Sequence, residues 1–179
     1  MAETMSWISR EKMTREWRWG VPLIIGIVIL DQITKAWVLG TSAFNAMECL
    51  PNTALCGKIE LSPIFNLSMT WNRGVSFGAF QADGLARWGL FVVIGAIAVG
   101  FSIWLFRAER WLTALALAMV VGGAAGNLID RARFGAVVDF LDFSGLYFPW
   151  IFNVADASIS VGAAVLLLDQ VLAGRKQAR

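Results

Sequence analysis

The sequence contains no histidine, and only 16% of its 179 residues are charged. Without histidine, the Ser-His-Asp and Cys-His arrangements of nucleophilic hydrolases are excluded. Two cysteines, with no histidine and no second cysteine pair, also exclude a structural zinc site of the usual kind. No glycine-rich phosphate loop of the Walker type is present. Soluble domains average about 25% charged residues, so the shortage of charge indicates another class of protein.

Apolar residues make up 58% of the chain, and its mean hydropathy is +0.64. Crossing a hydrocarbon core of about 30 Å takes roughly 20 apolar residues. Four stretches are long enough: residues 19–39, 88–106, 111–128 and 154–172. Tryptophans flank them, as in an interfacial aromatic belt. The sequence therefore predicts a membrane all-α fold with four transmembrane helices, in a single domain over residues 1–179.

The positive charges predict the orientation of these helices. With four spans both termini lie on one side, and that side collects nine lysines and arginines against five on the other. The positive-inside rule then places both termini in the cytoplasm. Residues 1–18 become a cytoplasmic segment, and residues 40–87 and 129–153 become outer loops. The first apolar run exceeds the roughly 7–15 residues of a signal-peptide core, so we interpret it as an uncleaved helix.

Polar residues at or near membrane depth gather on the outer side in this topology. They comprise Asp31, Lys35, Asn72, Arg73, Asn127, Asp130, Arg131, Asp139, Asn153 and Asp156. A charge taken out of water is costly unless it is paired or protonated, so carboxylates here are functional candidates. Asp169 is the exception, because it lies near the cytoplasmic end of the fourth helix. We expect Asp169 to reach water and assign it no role.

Asp139 and Asp156 have the most informative surroundings, in Gly-Ala-Val-Val-Asp-Phe and Phe-Asn-Val-Ala-Asp-Ala. Two carboxylates held close together share a proton, because they cannot both ionise. One can then take a proton from water while the other donates one to the tetrahedral intermediate, as in aspartyl proteolysis. In simpler interpretations Asp139 caps a nearby amide, and Asp156 is a helix N-terminal aspartate stabilised by the macrodipole.

Two other functions use the same residue types. A small proton-coupled transporter would also carry intramembrane carboxylates and a lysine, although the sequence has no visible inverted repeat and its polar groups stop in one leaflet. A Ser-Lys peptidase would pair Lys35 with Ser76, Ser158 or Ser160.

The chain resembles lipoprotein signal peptidase, or signal peptidase II, in five blocks that follow the family's order. They are Asp31-Gln-Ile-Thr-Lys35, Asn72-Arg73-Gly74, Gly122-Gly-Ala-Ala-Gly-Asn-Leu-Ile-Asp-Arg131, Val137-Val-Asp-Phe140 and Phe152-Asn-Val-Ala-Asp-Ala157. Each block is weak alone, but together they are specific.

The resemblance implies an intramembrane aspartyl peptidase of the bacterial inner membrane, with its site on the periplasmic side. Such enzymes cut the signal peptide from prolipoproteins just before a cysteine that carries a diacylglyceryl group. The implied partners are this lipidated substrate and membrane lipid, with no nucleic acid, obligate protein partner, cofactor or metal. Asp139 and Asp156 match the catalytic pair. The positions that match residues lining or supporting the site are Asp31, Lys35, Asn72, Gly74, Gly123, Asn127, Arg131 and Asn153.

Several roles stay open at this point. Asp31 and Lys35, four residues apart on one helix face, could hold the bundle as an ion pair or contact the substrate. Asn72 and Asn127 could donate to the developing oxyanion, hold the substrate backbone, or satisfy buried carbonyls of the cradle. Gly122 and Gly126 have the spacing of close helix packing, and Gly123 could pack or line the site.

The resemblance also implies a small periplasmic β-sheet that cradles the substrate and a short helical lid. Residues 58–61 and 65–71 alternate apolar and polar side chains as half-buried strands do, so the cradle would come mainly from the first outer loop. The lid would fall near residues 141–147. Cys49 and Cys56 are not family features; facing an oxidising compartment they could form a disulfide or remain free thiols.

Overall fold

The computed structural model describes residues 17–47, 55–74 and 84–177. Its elements, in chain order, are α1 (Trp17–Leu39), α2 (Ser42–Ala46), β1 (Leu55–Glu60), β2 (Asn66–Asn72), α3 (Ala86–Arg107), α4 (Trp111–Phe134), β3 (Val137–Asp142), a 3-10 turn (Ser144–Leu146), β4 (Ile151–Phe152) and α5 (Val154–Gln177). The four helices α1, α3, α4 and α5 are long and apolar enough to span a membrane. The prediction of four long apolar helices with a small sheet is confirmed.

Helix α4 is the centre of the bundle and packs against α1, α3 and α5. Of its most apolar window 67% is buried, against 6% for α3, so α3 turns most of its surface to the surroundings. Glycines let the neighbouring helices approach α4 closely. A Cβ at Gly123 would overlap the carbonyl oxygen of Ala155, and one at Gly122 would lie 3.1 Å from the Cβ of Ile27. Gly122 and Gly123 are therefore packing positions toward α1 and α5.

The four strands form one antiparallel sheet in the order β1-β2-β3-β4. Two strands come from the chain between α1 and α3, and two come from the chain between α4 and α5. The segment between α4 and α5 thus contributes half of the sheet, whereas the sequence indicated mainly the segment between α1 and α3. One buried apolar cluster joins the sheet to the C-terminal end of α1 and to α2, and it includes Val38, Phe44, Trp71, Val138 and Phe140.

Strand β3 follows α4 almost directly. Helix α4 runs six residues past the apolar stretch that ends at residue 128, and it ends at Gly135. This glycine has φ of +73° and an N–H that donates to the Arg131 carbonyl, which is the left-handed ending common in helices. Strand β3 is followed by β4, and α5 begins at Val154, so β3 lies between the C-terminal end of α4 and the N-terminal end of α5.

The segment expected to form a lid, residues 141–147, contains the end of β3 and the 3-10 turn. The ring of Phe143 packs on Phe65 at 4.9 Å and stacks on Phe152 at 5.8 Å between centroids. A Cβ at Gly145 would overlap the carbonyl oxygen of Pro63, so the turn lies directly against the β1–β2 connection. Phe143 and the turn at Gly145 are thus packed against the sheet, whereas Leu146 and Tyr147 at the end of the segment are exposed.

Of the two cysteines, Cys56 lies on β1 and is disulfide-bonded. No cysteine among the described residues is a free thiol. Cys49 lies outside the described residues.

Asp169 does not reach water, and that expectation is wrong. Its side chain is fully buried, Arg110 Nη2 lies 2.5 Å from Asp169 Oδ1, and Thr113 Oγ1 donates to Asp169 Oδ2 at 2.5 Å. The physical reason is that Asp169 faces the start of α4, where Arg110 and Thr113 provide an ion pair and a hydrogen bond. Asp169 instead ties α5 to the first turn of α4.

Candidate active site

Asp139 lies on β3 with its side chain almost fully buried. Asn153 Nδ2 donates to Asp139 Oδ1 at 2.7 Å, and Asn72 Nδ2 donates to Asp139 Oδ2 at 3.0 Å. Burial raises the pKa of Asp139 well above its usual range, and the charge of nearby Asp156 raises it further. The hydrogen bonds from the two amides lower this pKa, but by less. This carboxyl group is therefore biased toward its protonated form.

Asp156 lies in the first turn of α5 and is half-buried. Asn127 Nδ2 donates to Asp156 Oδ1 at 2.8 Å, and the Asn153 N–H donates to Oδ2 at 3.3 Å. The N–H of Asp156 donates in return to Asn153 Oδ1 at 2.8 Å. A helix N-terminus stabilises negative charge, and these donors add to that effect. Asp156 therefore lies among hydrogen-bond donors at a helix N-terminus, the position that the simpler interpretation also gave it.

Asn153 joins the two carboxyl groups. Its side chain donates to Asp139, while its backbone N–H donates to Asp156. The residue is fully buried just before α5, and its side chain also contacts the Val138 carbonyl at 3.2 Å. Because one residue contacts both, β3 and the start of α5 are held in a fixed relation.

A buried ion-paired group, the Lys35 triad, consists of Lys35, Asp31 and Asp130. Lys35 Nζ lies 2.8 Å from Asp31 Oδ2 and 2.8 Å from Asp130 Oδ2. It also donates to Asn127 Oδ1 at 3.0 Å. An ammonium group has three donors, and these three contacts use all of them. All three members of the triad are almost completely buried.

The triad anchors the backbone beside each carboxyl group of the pair. Asp130 Oδ2 accepts the Val138 N–H at 3.1 Å, and Asp31 Oδ1 accepts the Ala155 N–H at 3.0 Å. Val138 precedes Asp139, and Ala155 precedes Asp156. The ion pair of Asp31 and Lys35 thus belongs to the support behind the pair.

The same contacts weigh against a Ser-Lys arrangement. The described contacts of Lys35 Nζ are with carboxylate and amide oxygens. Ser158 Oγ donates to the Met119 carbonyl at 2.9 Å. Ser160 lines the cavity described below, and Ser76 lies outside the described residues.

Asp130 is a member of this network to which the sequence assigned no role. It lies on α4, three residues after Asn127 and four residues before Phe134, the last residue of the helix. Gln32 Nε2 also donates to Asp130 Oδ1 at 3.0 Å. The available signal was helical spacing, because Asn127 and Asp130 share a face that α1 covers.

The amide groups of Asn72 and Asn127 are oriented by their other contacts. Asn127 Oδ1 accepts from Lys35, which turns its NH2 group toward Asp156. Asn72 Oδ1 accepts the Gly74 N–H at 3.0 Å, which turns its NH2 group toward Asp139. Arg131 Nη2 in turn donates to the Gly74 carbonyl at 2.7 Å. Both amides therefore contact the carboxyl pair, and the roles considered for them toward the oxyanion, the substrate backbone or buried carbonyls stay predictions.

A cavity of about 270 Å³ opens beside the pair. Its polar lining includes five of the residues singled out in the sequence, namely Asn72, Asn127, Arg131, Asp139 and Asp156. Most of the remainder is lined by apolar side chains of α3, α4 and α5, among them Ile97, Phe101, Val120 and Ile159, with Val137 of β3 and Ile151 of β4. Asp31 and Lys35 are behind this lining, and Gly123 is at the helix contact with α5. The arrangement can hold an apolar chain next to two coupled carboxyl groups.

Comparison with known proteins agrees with this geometry. A family model described as signal peptidase (SPase) II matches residues 23–172. A lipoprotein signal peptidase of Caulobacter vibrioides is 44% identical over 146 residues, covering 81% of this chain and 82% of the relative. One of Methylorubrum extorquens is 40% identical over 157 residues, covering 86% of each.

Two solved structures described as bacterial membrane enzymes share the fold. The first has a TM-score of 0.70 and 23% sequence identity, and the match covers 86% of this chain and 88% of the other. The second has a TM-score of 0.66 and 25% sequence identity, and the match covers 86% of this chain and 92% of the other. These relationships do not support the transporter alternative. The chain belongs to the signal peptidase II family of aspartic-type membrane peptidases.

Proposed function

We propose that this protein is an endopeptidase that removes signal peptides from prolipoproteins, cutting just before the diacylglyceryl-modified cysteine. The observation that carries the catalytic part is the carboxyl pair of Asp139 and Asp156, bridged by Asn153 beside an apolar cavity. The relatives named above are lipoprotein signal peptidases. The proposed requirement for a diacylglyceryl group on the substrate cysteine rests on the family resemblance.

In the proposed mechanism the pair holds one proton and one water molecule. Burial keeps the proton on Asp139, while the helix N-terminus and amide donors favour the negative charge on Asp156. Asp156 takes a proton from the water, whose oxygen attacks the carbonyl carbon before the cysteine. Asp139 donates its proton to the carbonyl oxygen, which gives an uncharged tetrahedral intermediate.

The intermediate then breaks down by the reverse use of the same groups. Asp156 gives its proton to the cysteine nitrogen as the C–N bond breaks, and Asp139 recovers its proton from the intermediate's hydroxyl. The products are a signal peptide with a new carboxyl end and a lipoprotein with a free α-amine. The pair returns to its starting state with one shared proton.

The cavity supports an apolar substrate beside the pair. Side chains of α3, α4 and α5 form its apolar lining, and these are membrane-spanning helices. A signal peptide and its lipid could therefore stay in the bilayer while the bond to be cut reaches the carboxyl pair. With both termini in the cytoplasm, the site would face the periplasm from the outer leaflet of the inner membrane. Residues 1–179 would act as one peptidase domain.

The test uses purified protein in lipid with two matched substrates, a pre-lipoprotein with a diacylglyceryl-modified cysteine and the same chain unmodified. We expect cleavage of the modified substrate immediately before the cysteine, found by mass spectrometry, and little or none of the unmodified one. Equal cleavage of both would refute the lipid requirement. No cleavage of either, by protein that melts cooperatively, would refute the proposed activity.

A further inference from the structure

The end of the 3-10 turn and the loop that joins it to β4 present bulky apolar side chains to the outside. Tyr147 is 98% exposed, and Leu146 and Trp150 are about half exposed. No charged residue occurs between Phe143 and Ala155. A monomer surface rarely collects large apolar groups without a partner. We call residues 146–150 the aromatic loop.

The aromatic loop has a defined shape. Tyr147 has φ of +59°, a left-handed conformation that is uncommon for a residue with a side chain. Phe148 packs edge-on against Trp150 at 5.0 Å and against Phe152 at 5.7 Å between centroids. Through Phe152 these rings join Phe143, which is packed on the sheet. The loop is therefore built onto the fold with its apolar side chains outward.

The loop lies close in sequence to a membrane-spanning helix. Trp150 lies only four residues before Val154, where the membrane-spanning helix α5 begins. The opposite edge of the sheet is charged instead of apolar, because β1 carries Lys58 and Glu60, whose side chains are 43% and 81% exposed. One edge of the sheet is thus charged, and the other is aromatic and continuous with the membrane-spanning surface. Tryptophan and tyrosine are the residues that favour the headgroup level of a bilayer.

We propose that the aromatic loop of residues 146–150 inserts into the outer-leaflet interface and sets the β4 edge of the sheet onto the bilayer, with the β1 edge in water. The occupant of this apolar surface is bilayer lipid, at the headgroup and upper acyl level. The loop would then fix the tilt of the sheet relative to the membrane. This inference does not depend on the protein's catalytic activity.

The test places one fluorescent reporter on each edge of the sheet. Tyr147→Cys and Glu60→Cys are labelled with an environment-sensitive fluorophore, and the parent chain, whose Cys56 is disulfide-bonded, gives the labelling background. Both are reconstituted into bilayers with and without lipids that carry a nitroxide just below the headgroup. We expect the label at 147 to be blue-shifted and to lose most of its fluorescence to the nitroxide, while the label at 60 keeps its fluorescence.

Equal quenching at the two positions, or none at 147, would overturn the proposal. If Tyr147→Cys fails to fold, Leu146→Cys provides the same reading, because Leu146 is 55% exposed in the same loop. A label at 147 that is protected from water but not quenched by the lipid nitroxide would mean a protein partner or a second copy covers the loop. That outcome also contradicts insertion into lipid.

Discussion

Asp139→Asn and Asp156→Asn are each expected to abolish cleavage of a lipidated pre-lipoprotein while leaving the fold intact. Asparagine has the size of aspartate but neither takes up nor releases a proton near neutral pH. A positioned acid or base contributes about 10²–10⁴-fold to rate, and each carboxyl group serves in both halves of the proposed reaction. We therefore expect kcat to fall by at least about 10³-fold, measured by single-turnover cleavage.

The control for these variants is Asp142→Asn. Asp142 lies on the same strand as Asp139 and is also buried, but it accepts from Ser68 Oγ and from the Ser144 N–H and does not line the cavity. This variant should keep most of its activity even if it melts at a lower temperature. Activity lost equally in Asp142→Asn and Asp139→Asn would mean that strand β3 is simply sensitive to substitution.

Replacing Lys35 with methionine is expected to have the second-largest effect. The change removes the only cation of the triad and leaves Asp31 and Asp130 facing each other, both almost fully buried. Removing one partner of a buried ion pair costs about 3–5 kcal/mol. The two carboxylates also hold the backbone beside Asp139 and Asp156, and Asn127 loses the donor that orients it. Both melting temperature and kcat should therefore fall.

Two further variants separate lost stability from lost positioning. Asp130→Asn makes the triad neutral while keeping one oxygen for Lys35 and Val138, so we expect a small loss of kcat. Asp169→Asn weakens the ion pair between the buried Asp169 and Arg110, whose side chain is 42% exposed, at the opposite end of the bundle, so it should lower the melting temperature without lowering kcat. If Asp169→Asn lowers kcat as much as Lys35→Met does, the triad has no special role in positioning the carboxyl pair.

The four helices could be predicted because each is an apolar run of membrane length. Strand β3, which carries Asp139, could not be predicted from the sequence. Val137, Val138, Asp139 and Phe140 are all buried, so no alternation of polar and apolar residues marks them as a strand. A short strand covered on both faces looks like any other brief apolar run. Its pairing with β2 depends on residues far away in the chain, so the local sequence around β3 does not predict it.

The residues around the carboxyl pair could be named from the sequence, but not their contacts. Helical spacing puts Asp31 and Lys35 on one face, yet it does not reveal Asp130 as the second carboxylate of the triad. That contact depends on how closely α1 approaches α4, where a Cβ at Gly126 would lie only 2.6 Å from Asp31 Oδ2. The burial of Asp169 could not be predicted for the same reason. Its partners come from the start of a different helix, and the sequence does not show which helices pack together.

The shared proton is tested most directly by the pH dependence of kcat/KM for the lipidated substrate. Burial and the charge of Asp156 raise the pKa of Asp139, so activity should fall as pH rises through that raised pKa and the pair loses its proton. Activity should also fall in acid, where a second proton neutralises the carboxylate that activates water. The two limbs belong to the pair as a whole. We predict a bell-shaped profile, and activity that keeps rising into alkaline pH, as a lysine base would produce, would contradict it.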